Sequence, residues 1–232
     1  MTERLYYSDA YLQRFEARIV DRADEGRRVY LNRSAFYPTS GGQPNDLGRL
    51  GGVAVVDVID EEERVAHLLA SPLAPHTSEL VAGDVDWTRR FDHMQQHTGQ
   101  HLLSAIFADA LGWATLSVHF GPDYATLDLD AESISIERLR EVEERANVLV
   151  AEDRSVTVSF EDAASAQGLR KASDRNGSLR IVTIDGIDRS ACGGTHVHHT
   201  GAIGAVLLRR QEKIRKATRV EFVCGLRAMR RA

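Results

Sequence analysis

The chain has 232 residues, 43% of them hydrophobic and 27% charged, with a formal net charge of −5. These values lie near globular averages and exclude a largely disordered or fibrous chain, and the length suits one large domain or two small ones. The longest apolar stretches, such as residues 202–208, are strand-sized and far below the roughly 18 residues of a membrane helix, so no membrane association is expected.

From the N-terminus, Met1 to Tyr7 shows no basic region followed by an apolar core. No secretion signal is therefore expected, and the cytoplasm is the default compartment. Residues 18–20, 28–31, 53–59 and 65–69 are strand-forming runs, punctuated at Pro38, Gly41-Gly42, Pro44, Gly48 and Gly51-Gly52. The pattern reads as a small β-barrel or sandwich without a helix of convincing length. After Trp87 the pattern changes: Met94, Leu102, Leu103, Ile106, Phe107 and Leu111 recur at helical spacing until Gly112, predicting a helix over 92–111. Alternating Ala125, Leu127 and Leu129 predict a strand. Ser135 stands ready to cap a second helix with Ile136, Leu139, Val142, Ala146 and Leu149 on its inner face. Strands return with Val156, Val158 and Phe160, then at 180–184, 203–208 and 218–223. This order is α+β, so two domains are drawn, 1–88 and 89–232.

The last 24 residues depart from the acidic average. Nine Lys or Arg (Arg209, Arg210, Lys213, Arg215, Lys216, Arg219, Arg227, Arg230 and Arg231) face only Glu212 and Glu221, leaving a net −12 on residues 1–208. Such asymmetry suits either a face that touches a polyanion or a solvated basic end.

Two constellations carry chemistry. His97 and His101 are four apart on the predicted helix, so both imidazoles project from one face and can share a metal ion, although a buried polar pair has the same spacing. Thr98-Gly99-Gln100 between them holds no glutamate, so the general base of a helix-borne zinc protease is missing. In Cys192-Gly193-Gly194-Thr195-His196, two glycines favour a tight loop that brings thiolate and imidazole together. With His97 and His101 it completes a Cys-His₃ set suited to tetrahedral zinc. Only two cysteines occur, too few for a disulfide scaffold. A Cys192–histidine nucleophilic pair is the lesser account of Cys192, and Cys224 reads as a small buried hydrophobe. His93, His198 and His199 flank the motifs and are assigned no ligand role. Gly41-Gly42 reads as a turn or as a place of close backbone approach.

The segments Met94 to Ala105, Ala191 to Val197 and Phe36 to Pro44 resemble the freestanding alanyl-tRNA editing proteins, relatives of the editing domain of alanyl-tRNA synthetase, in the medium-length type with an N-terminal barrel. Val220 to Gly225 adds to the likeness, which covers nearly the whole chain. The resemblance implies an N-terminal small β-barrel followed by a two-layer α/β-sandwich editing domain. It also implies one zinc ion held by His97, His101, Cys192 and His196, and hydrolysis of the ester that joins a wrong amino acid to tRNA(Ala). A pocket sized for alanine cannot strongly reject serine or glycine, so mischarging calls for a second sieve. That sieve can spare alanine by offering a polar partner to the serine hydroxyl. Thr115, Ser117 and His119 are candidates for it, with Gln100 inside the motif; the plainer account of Thr115 and Ser117 is an amphipathic strand.

In the similar proteins the glycine motif faces the editing pocket, which gives Gly41 and Gly42 a substrate-binding expectation. Arg209, Arg210, Lys213, Arg215 and Lys216 are expected to hold the tRNA acceptor stem, and a monomer is expected. Four protein ligands fill a tetrahedral site, whereas a catalytic zinc keeps one position open, so Cys192 or His196 on the glycine loop is expected to yield before the helix pair. A related editing domain of threonyl-tRNA synthetase works without metal, so histidines organising water are a second route. The rival classes are a zinc-stabilised tRNA-binding module without catalysis and a zinc hydrolase indifferent to tRNA.

Overall fold

A computed structural model describes residues 1–74, 79–172 and 176–230; Arg231, counted above in the basic end, lies outside them. The chain mixes helices and strands and divides into two compact units, Met1–His93 and Met94–Ala232. Among the described residues no helix is long and apolar enough to cross a membrane.

The first unit holds β1 (Glu3–Arg4), β2 (Arg14–Ala23), β3 (Arg28–Leu31), β4 (Arg33–Ser34), β5 (Gly48–Leu50), β6 (Val53–Glu61), β7 (Arg64–Leu69) and β8 (Leu80–Val85). Six of them pair in the ring β2-β3-β7-β6-β5-β8, which closes on itself, while β1 and β4 form a separate parallel pair. Closure leaves no open edge among those six strands. Val29, Leu31, Phe36, Leu50, Val58 and Val65 fill its core.

Polar groups are buried in this unit as well. His67 is fully buried, with Nδ1–H donated to the Val29 carbonyl (3.0 Å) and Nε2 accepting from Ser34 Oγ (2.7 Å). Arg90 and Asp46 form an ion pair with no solvent exposure on either side chain. The Arg90 guanidinium also donates to the carbonyls of Ala10 (2.7 Å) and Ala35 (2.5 Å), and Asp46 accepts from the Tyr37 N–H (2.6 Å). Each charge is thus both paired and hydrogen-bonded, the condition under which burial is tolerated.

Arg90 explains a difference from the sequence expectation. Helix α1 spans Trp87–Leu111, starting at Trp87 rather than near 92. Asp86 caps it, its carboxylate accepting from the Arg89 N–H (3.1 Å) and its carbonyl from the Arg90 N–H (2.9 Å). The buried position of the first turn is occupied by an arginine, so apolar periodicity is silent there.

The second unit continues with β9 (Thr115–Phe120), β10 (Ala125–Leu129), α2 (Ile136–Ala151), β11 (Val156–Asp162), β12 (Ser178–Ile184), β13 (Asp188–Ala191), β14 (Val206–Ile214), β15 (Ala217–Cys224) and the short α3 (Leu226–Met229). One sheet runs β14-β15-β10-β9 and another β11-β12-β13, both antiparallel. Ser135 caps α2 as expected, accepting from the Arg138 N–H (3.3 Å). Val142, Ala146 and Leu149 are buried, but Ile136 in the first turn is exposed and Ile134 before the cap is buried instead. Edge strand β14 begins at Val206, not 203: Thr200–Ile203 form a 3₁₀ turn and Gly204 takes φ +72°. Helix α2 covers that edge, with Asn147 pairing both ways with the backbone of Val206 and Glu143 accepting from the Leu208 N–H.

From Met94 to Phe107 every residue of α1 is buried, polar ones included. Gln96 pairs with both backbone groups of Cys224 (3.0 and 2.8 Å), and Gln95 donates to the Ala202 carbonyl (3.0 Å). Gly99 lies directly against Cys224, where an added Cβ would overlap Sγ. Cys224 is therefore a packing residue that brings β15 close to the helix.

Two outcomes follow from these buried groups. Burial holds the His67 pKa down at about 4, against a partly offsetting bond to Val29. An unfolded chain, with histidine near 6.5, takes up a proton that the fold refuses, so stability is full above about pH 6.5 and falls as the pH drops toward 4. Thermal unfolding between pH 7 and 5 should show a shallower pH slope in His67→Gln than in the wild type. Gly99→Ala gains roughly 1 kcal/mol of helix propensity but overpacks against sulfur at roughly 1–3 kcal/mol, so it should destabilise. Adding Cys224→Ala should restore part of the loss in chemical denaturation.

Candidate metal centre

His97 and His101 leave α1 one turn apart, and Cys192 and His196 leave the loop that follows β13. Their ligand-type atoms all lie within 4.8 Å of one another, with the three imidazoles buried and Cys192 half-buried. Cys192 Sγ is 3.4 Å from His97 Nε2 and 3.3 Å from His196 Nε2. A sulfur and a nitrogen bound to one tetrahedral zinc ion stand about 3.5 Å apart. The set could therefore hold a metal ion, and one thiol with three imidazoles is a donor chemistry consistent with zinc.

The loop bearing Cys192 is fixed rather than slack. Arg180 on β12, itself buried, donates to the carbonyls of Cys192 (2.7 Å) and Gly194 (2.9 Å), and the Cys192 N–H returns to the Arg180 carbonyl (3.0 Å). The Gly194 N–H points at Sγ (3.4 Å). On the helix side, the Thr98 hydroxyl meets His196 Nδ1 (3.1 Å) while accepting from the Val197 N–H (3.1 Å). An Nδ1–H donated to Thr98 leaves Nε2 free to act as a ligand. The Phe120 ring lies 5.1 Å from that of His97 and covers it.

Electrostatics favour the thiolate. Burial pushes the Cys192 thiol up, but the adjacent His97 and His196 rings and a hydrogen bond from His101 carry it well below the usual thiol range. Burial, then His97, holds His196 down at about 3, in the neutral form that a ligand needs. His101 is driven down by burial yet raised overall to about 9, by its bond to Asp188 and by Cys192.

Asp188, Arg180 and Thr98 were not singled out from the sequence. Asp188 lies only four residues before Cys192, and Arg180 is on the preceding strand β12, but the roles of both depend on tertiary partners. Thr98 was visible inside the histidine motif, where an i,i+4 argument considers only the two ends.

The other candidates fall in several places. The Gln100 amide donates to Ser104 Oγ (2.9 Å), and the Thr115 hydroxyl donates to the same oxygen (2.7 Å), so these two meet on one side chain of α1. Thr115 gets there through a bulge: Asp128 pairs with Ser117 but Leu129 pairs with Thr115, so Leu116 is extra, and it is half exposed. Residues directly opposite share a face, so Thr115 turns to the side of Leu129, whereas Ser117 stays with Asp128 and bonds to it (2.6 Å). His119 keeps the outward parity of Ser117 and is exposed. Gly41 and Gly42, both exposed, have φ of +56° and +86° between paired Ser40 and Gln43. That is the tight turn in which both central residues need positive φ, and the space beside Gly41 is open.

Arg209, Arg210, Lys213, Arg215 and Lys216 are exposed along the β14–β15 hairpin, with Arg215 and Lys216 at its tip between paired Ile214 and Ala217. Arg209 pairs with Glu221 (2.9 Å). Of the remaining basic residues, Arg219 is held bidentate by Asp128, and Arg227 is buried on the Gly121 carbonyl.

Residues 179–220 match the family described as the threonyl and alanyl tRNA synthetase second additional domain. The chain is 35% identical to alanyl-tRNA editing protein AlaX-L of Pyrococcus horikoshii, over 99% of this chain and 59% of that protein. It is 36% identical to alanyl-tRNA editing protein Aarsd1-A of Xenopus laevis, over 88% of this chain and 51% of that protein. With alanyl-tRNA editing protein AlaX-M of Methanosarcina mazei it shares 32% identity over 94% of both chains. The chain thus spans a little over half the length of the first two relatives and nearly all of the third.

Proposed function

The chain belongs to the alanyl-tRNA editing protein family, and we propose that it is a trans-acting deacylase that frees tRNA(Ala) of serine, and of glycine, by hydrolysing the aminoacyl ester. The observation that carries this reading is the convergence of His97, His101, Cys192 and His196 within 4.8 Å. In this reading residues 1–88 are a small barrel domain bearing the glycine motif, and residues 89–232 are a two-layer editing domain. The protein acts in the cytoplasm as a monomer.

The four side chains hold one zinc ion, which when bound supplies Lewis-acid polarisation of the ester carbonyl or a lowered pKa for bound water. The thiolate character of Cys192 and the neutral His196 suit a cation, whose binding would displace the proton that His101 carries at neutral pH. Thr115 and Gln100, gathered on Ser104, are the polar partners offered to the serine hydroxyl. An alanyl side chain leaves that bonding to Ser104 in place and adds nothing to it, whereas the serine hydroxyl gains a further hydrogen bond, and that difference spares the correct ester. Ser117 and His119 bear instead on the outward side of the sheet, where a nucleic acid rather than the amino acid is their partner. Gly41-Gly42 sets a turn whose exposed backbone is available to the substrate. Arg210, Lys213, Arg215 and Lys216, with Arg209, hold acceptor-stem phosphates.

One observation favours a second reading. Four protein donors close a tetrahedral site, as structural zinc requires, and Arg180 pins the loop that would have to yield. On that reading the chain binds tRNA without chemistry.

Purified protein given seryl-tRNA(Ala) and alanyl-tRNA(Ala) should release serine and spare alanine, lose that activity on chelation and regain it with Zn²⁺. Serine release that survives chelation would favour histidine-organised water, and none under any condition would favour the binding module. Lys213→Ala/Arg215→Ala/Lys216→Ala should weaken tRNA binding and lower the log–log salt slope by about 3, with hydrolysis of a small seryl ester little changed. Unchanged tRNA affinity and slope would remove the hairpin from the interface.

A further inference from the structure

Metal-bound histidines almost always give their second ring N–H to an oxygen that fixes tautomer and orientation. His196 has the Thr98 hydroxyl, a neutral partner. His101 has a charged one: its Nδ1 stands 2.8 Å from Asp188 Oδ2, with the aspartate side chain wholly buried. Asp188 opens β13, four residues before Cys192, so the strand that delivers the thiol also delivers this carboxylate.

Besides His101, two side chains hold the carboxylate. Arg170 Nε donates to Oδ1 (2.7 Å), the Ser190 hydroxyl lies 3.0–3.1 Å from both oxygens, and Arg170 also reaches Ser190 Oγ (3.1 Å). The Arg170 backbone is tied to β13 by its N–H to the Arg189 carbonyl (2.8 Å). With Asp188 so restrained, the His101 ring has one orientation open to it. Its Nδ1–H is spent on the carboxylate, and Nε2 is the nitrogen left for the cluster.

We propose that Asp188, locked by Arg170 and Ser190, is a positioning residue for the metal ion, fixing the ring and tautomer of His101 so that Nε2 is presented as a ligand. This rests on the metal reading above and adds a residue to it. A carboxylate partner also makes the imidazole a stronger donor, whereas the Thr98 contact to His196 only orients.

The test uses the full chain, stripped of metal and titrated with Zn²⁺ against a chromophoric chelator, with Co²⁺ visible absorption as a second readout of the ligand set. Asp188→Asn, which keeps shape but not charge, should bind Zn²⁺ roughly 10–100-fold more weakly and alter the Co²⁺ spectrum. Ser190→Ala, which removes one restraint on the carboxylate, should move both in the same direction by less. If the wild type binds no Zn²⁺, the metal reading falls and Asp188 with it. If the wild type binds and Asp188→Asn binds equally well with an unaltered spectrum, only the role of Asp188 falls. Should Asp188→Asn fail to fold by circular dichroism, wild-type affinity in Ser190→Ala would overturn the proposal.

Discussion

Keeping three imidazoles and a thiol together away from water constrains the whole second unit, because two of the donors come from a helix and two from a loop about ninety residues later. Polar atoms buried this closely are tolerated only where each is oriented by a further partner. The chain supplies those partners from separate elements: Thr98 from the helix itself, Asp188 from β13 and Arg180 from β12. The helix is in turn seated by Gln96 on the end of β15 and by the missing side chain at Gly99. Packing and chemistry are therefore one problem here, and the glycine between the two histidines belongs to both.

Much of this was legible from the sequence, and for identifiable reasons. The histidine pair, the Cys-Gly-Gly-Thr-His loop and the apolar spacing of α1 are short-range patterns that survive without coordinates. The start of α1 was not legible, because Arg90 takes the buried position in its first turn and finds Asp46 more than forty residues away. Asp188 and Arg180 were hidden for the same reason, as polar residues whose meaning lies in a distant partner. Alternation at Val156, Val158 and Phe160 located strand β11, but it did not give the burial, since Val158 and Phe160 are both exposed.

Charge counting behaved similarly. The basic end read as one feature, but the fold divides it. Arg219 and Arg227 are committed to Asp128 and the Gly121 carbonyl, while the hairpin displays Arg210, Lys213, Arg215 and Lys216 outward. A tally of charges over a segment overstates what can meet a polyanion, since cross-strand acids neutralise part of it within the sheet.

The extra residue in β9 carries a consequence of its own. Were the pairing there regular, Leu129 would oppose Leu116, and an isobutyl group would stand where the Thr115 hydroxyl now reaches Ser104. The polarity of that spot is thus written in a count of residues rather than in an identity. A slip of one position along the strand would exchange a hydrogen-bonding surface for a greasy one with no codon in β9 altered, which makes chain length at this bulge as consequential for the chemistry as any substitution beside it.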